Sequence, residues 1–211
     1  MVVVMLSALE GAMRVKAFLQ HEKNTIKVRV VNEGTTRPGG VLGYAFLPDS
    51  HYRTITARGT EIIFDKTYQI DAAGHRKTVC KQDTPKADTA LFFGCSFTFG
   101  TGVEDEETLP SRFCARSPRY NALNYGLPAA GPQQTWLQIV QQRVMRQYAD
   151  RQGVVIYTYI DDHIKRLVGM PEIIDCWPFS LPWIAIEEGK ACYKGTFLDR
   201  SKAFNPFYPI T

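Results

Sequence analysis

The chain has 211 residues, 45% hydrophobic, 22% charged and 12% aromatic, which suits one core or one α/β domain with a small appendage. Its net charge of +4 comes from scattered residues. The densest basic group (Arg143, Arg146, Arg151) is loose and lacks interleaved aromatics, which argues against nucleic acid as a partner. Five cysteines (Cys80, Cys95, Cys114, Cys176, Cys192) form no CxxC pair and no metal-ligand spacing, so neither a metal nor another cofactor is indicated. Their odd number argues against a complete disulfide framework and leaves a single bridge open.

Residues 1–18 read as a short helix or the stub of an anchor. The apolar run Met1–Leu6 is too short to span a bilayer and has no basic flank of the signal-peptide kind. It reads either as a buried helical turn or as the tail of a membrane helix that begins upstream. Residues 19–88 read as a β-rich region. Thr25–Val31 alternates apolar and polar residues as a half-buried strand does, and Pro38-Gly39-Gly40 marks a turn. Short strands are expected at Thr54–Ala57, Glu61–Asp65 and Thr67–Ile70. The polar stretch Lys81–Asp88 contains a proline, and the domain boundary is expected there.

Residues 89–211 change rhythm. Thr89–Phe93 is a continuous apolar run of the kind found in buried parallel strands, ending in the turn Gly94-Cys95-Ser96. Thr108 is placed to cap a helix with Pro110 in its first turn. Ala122–Tyr125 is a second strand. Pro132 opens a long amphipathic helix carrying Leu137, Val140, Val144 and Tyr148 on one face. Val154–Ile160 is a third strand, ending in Asp161-Asp162-His163. This strand–helix alternation predicts a parallel sheet with right-handed crossovers. Beyond Gly169, Trp183–Glu187 and Lys190–Lys194 flank Glu188-Gly189 as a β-hairpin. The final residues, Asn205–Thr211, are irregular and apolar.

In parallel sheets the chemistry gathers at the carboxyl ends of the strands. Three such ends here carry Gly94-Cys95-Ser96, Asn124-Tyr125-Gly126 and Asp161-Asp162-His163. A serine becomes a useful nucleophile once a base takes its proton and donors hold the oxyanion that forms. Ser96, in a glycine-bounded turn after a buried strand, is placed for that role, although a helix-capping serine has the same local pattern.

The stretch Gly94-Cys95-Ser96-Phe97-Thr98-Phe99-Gly100, then Gly102-Val103 and Glu106-Glu107-Thr108-Leu109-Pro110, closely resembles the first block of the SGNH/GDSL hydrolases. Asn124-Tyr125-Gly126-Leu127-Pro128, with Gly131-Pro132-Gln133-Gln134 after it, resembles the second block. Upstream, Gly74-His75-Arg76 is similar to a segment that precedes the first block in envelope polysaccharide esterases. The resemblance implies a flavodoxin-like α/β/α sandwich and a serine esterase acting on O-acyl, often acetyl, esters of carbohydrate. It makes Ser96 the nucleophile and an oxyanion donor through its own N–H, makes Gly126 the second donor, and puts the third-block position at Asp162, with Asp161 beside it. A glycan or small acyl ester is then the partner, and a bacterial cell envelope the expected setting, with membrane association through an upstream segment.

Three departures stand out. Cys95 replaces the usual aspartate and reads as a small buried residue rather than a second nucleophile. Asp162 stands where an asparagine amide would donate to the oxyanion, and loss of one such donor costs roughly 2.7–4 kcal/mol. His163 reads equally as a group behind the site or as a direct participant, and three adjacent residues do not converge easily on a metal ion. Finally, no Asp-x-x-His occurs anywhere; the histidines are His21, His51, His75 and His163, and only His163 follows Ser96. The expectation is therefore an N-terminal portion of a longer hydrolase whose base lies further on. The alternatives are a non-catalytic carbohydrate-binding or assembly module of the same fold, and a complete enzyme with His163 as an unorthodox base.

Overall fold

The computed structural model describes residues 26–31, 36–38, 40–80, 88–141, 144–170 and 181–204. The N-terminal helix expected over 1–18, the linker residues 81–87 and the C-terminal stretch 205–211 lie outside them. The protein is a mixed α/β fold in which a parallel three-stranded sheet adjoins a small antiparallel β-rich region.

In the β-rich region, β1 (Ile26–Val30), β4 (His51–Arg58) and β5 (Glu61–Gln69) form one antiparallel sheet in the order β1-β4-β5. The separate strands expected at Glu61–Asp65 and Thr67–Ile70 are one continuous strand, because every residue from Glu61 to Gln69 except Ile63 holds a partner on β4. The hairpin accommodates Ile63 as an irregularity in the register near Thr56 and Ala57. β2 (Thr36–Pro38) and β3 (Tyr44–Phe46) make a second, two-stranded sheet around the turn at Gly40–Leu42.

The parallel sheet has the order β7-β6-β8, with β6 (Asp88–Phe93) between β7 (Tyr120–Asn124) and β8 (Gly153–Tyr157). Leu91 pairs with Leu123 on one side and with Val155 on the other. Ala90–Phe93 of β6 is continuously apolar, as suits a strand covered on both faces. Ala90 and Phe92 pack with Ala122 and with Cys114 of α2 (Leu109–Arg116), whereas Leu91 and Phe93 pack with Tyr125 and Val144. The expected cap of α2 is present: the Thr108 hydroxyl accepts from the Ser111 N–H, and Pro110 lies in the first turn.

The long helix expected from Pro132 to Tyr148 is shorter. α3 spans Pro132–Val140, and a 3-10 segment follows at Val144–Tyr148. Leu137 and Val144 are buried as the periodicity requires, but Val140 is 50% exposed, so one straight apolar face does not run through both pieces. α4 (Asp162–Val168) follows β8 and ends at Gly169 in the left-handed conformation. The hairpin is present as β9 (Pro182–Glu187) and β10 (Lys190–Thr196), followed by α5 (Phe197–Phe204).

The boundary expected at Lys81–Asp88 does not separate two cores. Leu42, Phe46, Tyr68 and Ile70 from the β-rich side form one buried cluster with Phe99, Leu127, Ala130 and Leu137 from the other. Phe46 stacks on Phe99 at 5.3 Å and Tyr68 meets the same ring edge-on at 5.2 Å, a geometry that adds to the stabilisation from burial. A disulfide between Cys80 and Cys114 ties the end of the β-rich region to α2, the single bridge the cysteine count left open. Among the described residues β8 is an edge strand, and its Val154, Val155 and Tyr157 are 37–48% exposed.

Candidate active site

Ser96 opens α1 (Ser96–Phe99), the single helical turn at the carboxyl end of the central strand β6. The turn is sharp because Gly94 has φ 148°, and a side chain there would come within 2.3 Å of Thr98 Oγ1 and 3.1 Å of the Thr158 carbonyl. Cys95 is fully buried at the capping position, which agrees with a packing role for this residue. Ser96 itself is partly exposed. Among the described residues its backbone N–H has no partner, and no side chain hydrogen-bonds its Oγ.

Two buried side chains, from residues paired in one isolated β-bridge, hold this turn. Asn124, at the end of β7, donates through Nδ2 to the carbonyls of Thr98 (3.0 Å) and Phe99 (3.4 Å). Arg76 donates from Nη1 to the carbonyls of Phe99 (2.9 Å) and Gly100, and from Nη2 to that of Val103 (2.8 Å). Its charge is met by Asp105, with Nη2 at 2.9 Å and Nε at 3.0 Å from Oδ1, and its guanidinium lies 4.5 Å from the Tyr68 ring centre. Burial pulls the guanidinium's pKa down, and Asp105 opposes that pull. A buried arginine is tolerated when its fork is satisfied in this way.

Gly126 abuts the same turn. A Cβ on it would lie 2.4 Å from the Phe99 nitrogen and 2.8 Å from the Thr98 carbonyl carbon, so only glycine allows this approach. Its N–H donates to Asn124 Oδ1 at 3.0 Å, and the next N–H, of Leu127, donates to the Gly94 carbonyl at 3.1 Å. The donor that the sequence resemblance assigns to the oxyanion is thus engaged with Asn124 in this structure.

The third strand end lies beside the first, since the Thr158 N–H donates to the Phe93 carbonyl at 3.0 Å. Asp161 is exposed and makes no capping bond, and Asp162 begins α4 with its carboxylate 3.5 Å from Lys165. His163 is completely buried, with Nδ1 at 2.7 Å from the Tyr157 hydroxyl. Burial and nearby Arg166 lower the pKa of His163, while the Tyr157 phenol is pushed up to about 12, chiefly by burial. Both groups are therefore neutral near pH 7. The His163 Nε2 is buried without a partner among the described residues. Ser96 and His163 share the sheet edge, but no hydrogen bond joins them.

Sequence reasoning placed Ser96, Gly126, Asp162 and His163 at one sheet edge but gave no role to Asn124, Arg76 or Tyr157. Asn124 was visible only as the residue opening the second block at a strand end, and Arg76 only as part of a short upstream motif. Tyr157 carried no signal, because a tyrosine in a strand usually packs as a hydrophobe.

The chain matches no protein-family model and no curated protein.

Proposed function

We propose that the protein is a serine ester hydrolase of the SGNH/GDSL type, with a flavodoxin-like α/β/α sandwich, acting on O-acyl esters of carbohydrate at the cell envelope. The supporting observation is the position of Ser96: partly exposed, at the carboxyl end of the central parallel strand, in a turn fixed by Arg76, Asn124 and the close approach of Gly126. Ser96 Oγ attacks the acyl carbon, and its own free N–H donates to the oxyanion. Gly126 joins as the second donor once Asn124 releases its N–H. The base is a histidine that the described residues do not bring to Ser96. Among the described residues no helix is long and apolar enough to cross a membrane, so placement at a membrane rests on a segment outside them.

The test is fluorophosphonate labelling of the full chain as its natural host makes it, mapped to the tryptic peptide from Ala87 to Arg112. Label on Ser96, abolished by Ser96→Ala, is expected. A folded protein that takes no label, or takes it elsewhere, overturns the reading. One arrangement favours a second reading, a non-catalytic carbohydrate-binding or assembly module. The Gly126 N–H is already engaged, and the acid at the third-block position faces Lys165. That reading expects no label together with retained glycan binding.

A further inference from the structure

The antiparallel sheet β1-β4-β5 leaves the body of the protein at one end. Thr54 and Thr56 of β4 are buried. Phe64, which pairs with Thr56, still packs on the loop after Ser96, its ring 3.2 Å from where a Cβ on Gly102 would lie. Beyond that row every residue from Arg58 to Ile63 is exposed. At a rise of roughly 3.4 Å per residue, the turn at Gly59-Thr60 stands about 10 Å past Thr56.

A solvated hairpin end is normally built from small and polar residues. This one carries isoleucines: Ile62 is 62% exposed, Ile63 47%, and Ile26, at the same end of β1, 53%. Single exposed apolar side chains are ordinary, but three at one projecting end are not. They do not share one face. Cross-strand partners stand on the same side of a sheet, and successive residues alternate. Ile26 pairs with Arg58 and so takes the side of Thr54 and Thr56, whereas Ile62 pairs with Ala57 and takes the other. Ile63 is the extra residue at the register shift, the kind of irregularity that re-aims a side chain.

The charges of the sheet sort by distance from this end. Further back, Arg53 is paired with Asp65 at 2.6 Å and Lys66 with Glu104. Nearer the tip, Lys27, Arg29 and Arg58 form no ion pair among the described residues, and a single acid, Glu61, accompanies them. A positive collar thus lies at and just behind the isoleucines.

A partner for this end must surround apolar side chains on both sides of a sheet and carry negative charge where the collar sits. A folded protein surface, a second copy included, covers one side. A nucleic acid answers the cations and leaves the isoleucines in water. A lipid leaflet meets both demands, because its acyl region closes around whatever enters it and its anionic headgroups attract lysine and arginine. We infer that the β4–β5 hairpin end, together with Ile26, inserts into the surface of an anionic bilayer. Ile62 and Ile63 enter below the headgroups, and Lys27, Arg29 and Arg58 lie among them. The contact is peripheral, dips into one leaflet and is separate from any spanning segment. It does not depend on the chemistry at Ser96.

The test is co-sedimentation of the full chain with vesicles of equal parts phosphatidylglycerol and phosphatidylcholine, beside vesicles of phosphatidylcholine alone. The mixed vesicles are expected to bind it more tightly, and less so as salt rises. Ile62→Thr with Ile63→Thr keeps the β-branched shape, should leave the melting temperature unchanged, and should weaken binding by about tenfold or more. Lys27→Gln and Arg58→Gln should each weaken it about fivefold, the equivalent of about 1 kcal/mol per cation. An environment-sensitive fluorophore on Thr60→Cys should brighten with the mixed vesicles, and one on Thr67→Cys, further back on β5, should not, each read against the parent chain treated alike. That comparison separates insertion of this end from binding through another part of the chain. No binding to the mixed vesicles, binding that the paired isoleucine variant leaves unchanged, or a silent Thr60 label on bound protein would each overturn the proposal. Loss of a dimer in the paired variant, seen by sedimentation, would overturn it too by making this end a contact between copies. Vesicle binding and acylation of Ser96 are read separately, so failure of one is distinguishable from failure of the other.

Discussion

Arg76 engages Phe99 twice: Nη1 donates to the Phe99 carbonyl at 2.9 Å, and the guanidinium carbon lies 5.2 Å from the centre of the Phe99 ring. One residue of the β-rich region therefore grips both the backbone and the side chain at the end of the turn that Ser96 opens. The same guanidinium reaches Gly100 and Val103, so the loop after Ser96 takes its shape from a cation 20 residues upstream.

Removing that cation leaves Asp105 without its counter-charge and takes one donor from each of three carbonyls. Arg76→Ala is expected to cost about 3–5 kcal/mol in chemical denaturation, as breaking a buried ion pair from one side does. Arg76→Lys should also destabilise, because a single ammonium cannot span Asp105 and the separated carbonyls as the planar fork does. If Arg76→Lys matches the parent in both stability and Ser96 labelling, the guanidinium's geometry is not what holds the turn.

Gly126 tests the close approach. Its φ is not the issue; the space is, since the added methyl meets backbone at 2.4 and 2.8 Å. Gly126→Ala should therefore displace the Thr98–Phe99 backbone and cost about 1–3 kcal/mol or more, the usual penalty of overpacking. Fluorophosphonate labelling of Ser96 should fall further than stability alone accounts for, which quantitative labelling at a temperature well below the melt would show.

His163 and His75 give the fold an acid-sensitive component. Burial holds both below their ordinary value of 6.5, with Asp71 opposing the effect at His75. Each is neutral in the folded protein while the unfolded chain takes up a proton, so the unfolded state binds more protons below about pH 6.5. Their contribution is fully present above that pH and is lost as pH falls from 6.5 through the depressed folded value. Denaturation midpoints measured from pH 7.5 to 5 should fall, and His163→Gln should flatten the decline. Tyr157→Phe removes the partner of a buried ring nitrogen and should cost about 1–3 kcal/mol at pH 7.5.

The Cys80–Cys114 bridge spans 34 residues, including β6 and Ser96. On the chain-entropy account, a loop of that length contributes about 3–4 kcal/mol. Reduction under native conditions should lower the urea midpoint accordingly, and Cys80→Ala paired with Cys114→Ala should reproduce the loss without reductant.

Much of this fold was legible in the chain itself. Thr89–Phe93 announced a buried parallel strand because both faces are covered, and Thr108 with Pro110 marked the start of α2 through local chemistry that needs no tertiary context. The Trp183–Lys194 hairpin was visible for the same reason. That α3 stops at Val140 was not legible, because the apolar periodicity runs on to Tyr148. The shared core was hidden too. Leu42 and Tyr68 look like ordinary strand and turn residues until Phe99 is placed against them. At the site, the turn after β6 was readable from Gly94, Ser96 and Gly126, whose small size is itself the signal. Its supports were not, since nothing near Arg76 or Asn124 in sequence says that both reach the Phe99 carbonyl.

The exposed margin of β8 has a consequence for how this protein behaves in bulk. Gly153–Tyr157 contains no charge and no proline, and among the described residues no strand pairs with one side of its ladder of amide and carbonyl groups. Natural sheet margins are usually guarded by lysines, prolines or bulges. Among the described residues this one carries no such guard, and Ile164 and Val168 of the following helix α4 are each more than half exposed. Concentrated solutions of these 211 residues should therefore be governed less by the modest net charge than by the margin of a single strand, a colloidal property set by five uncharged residues.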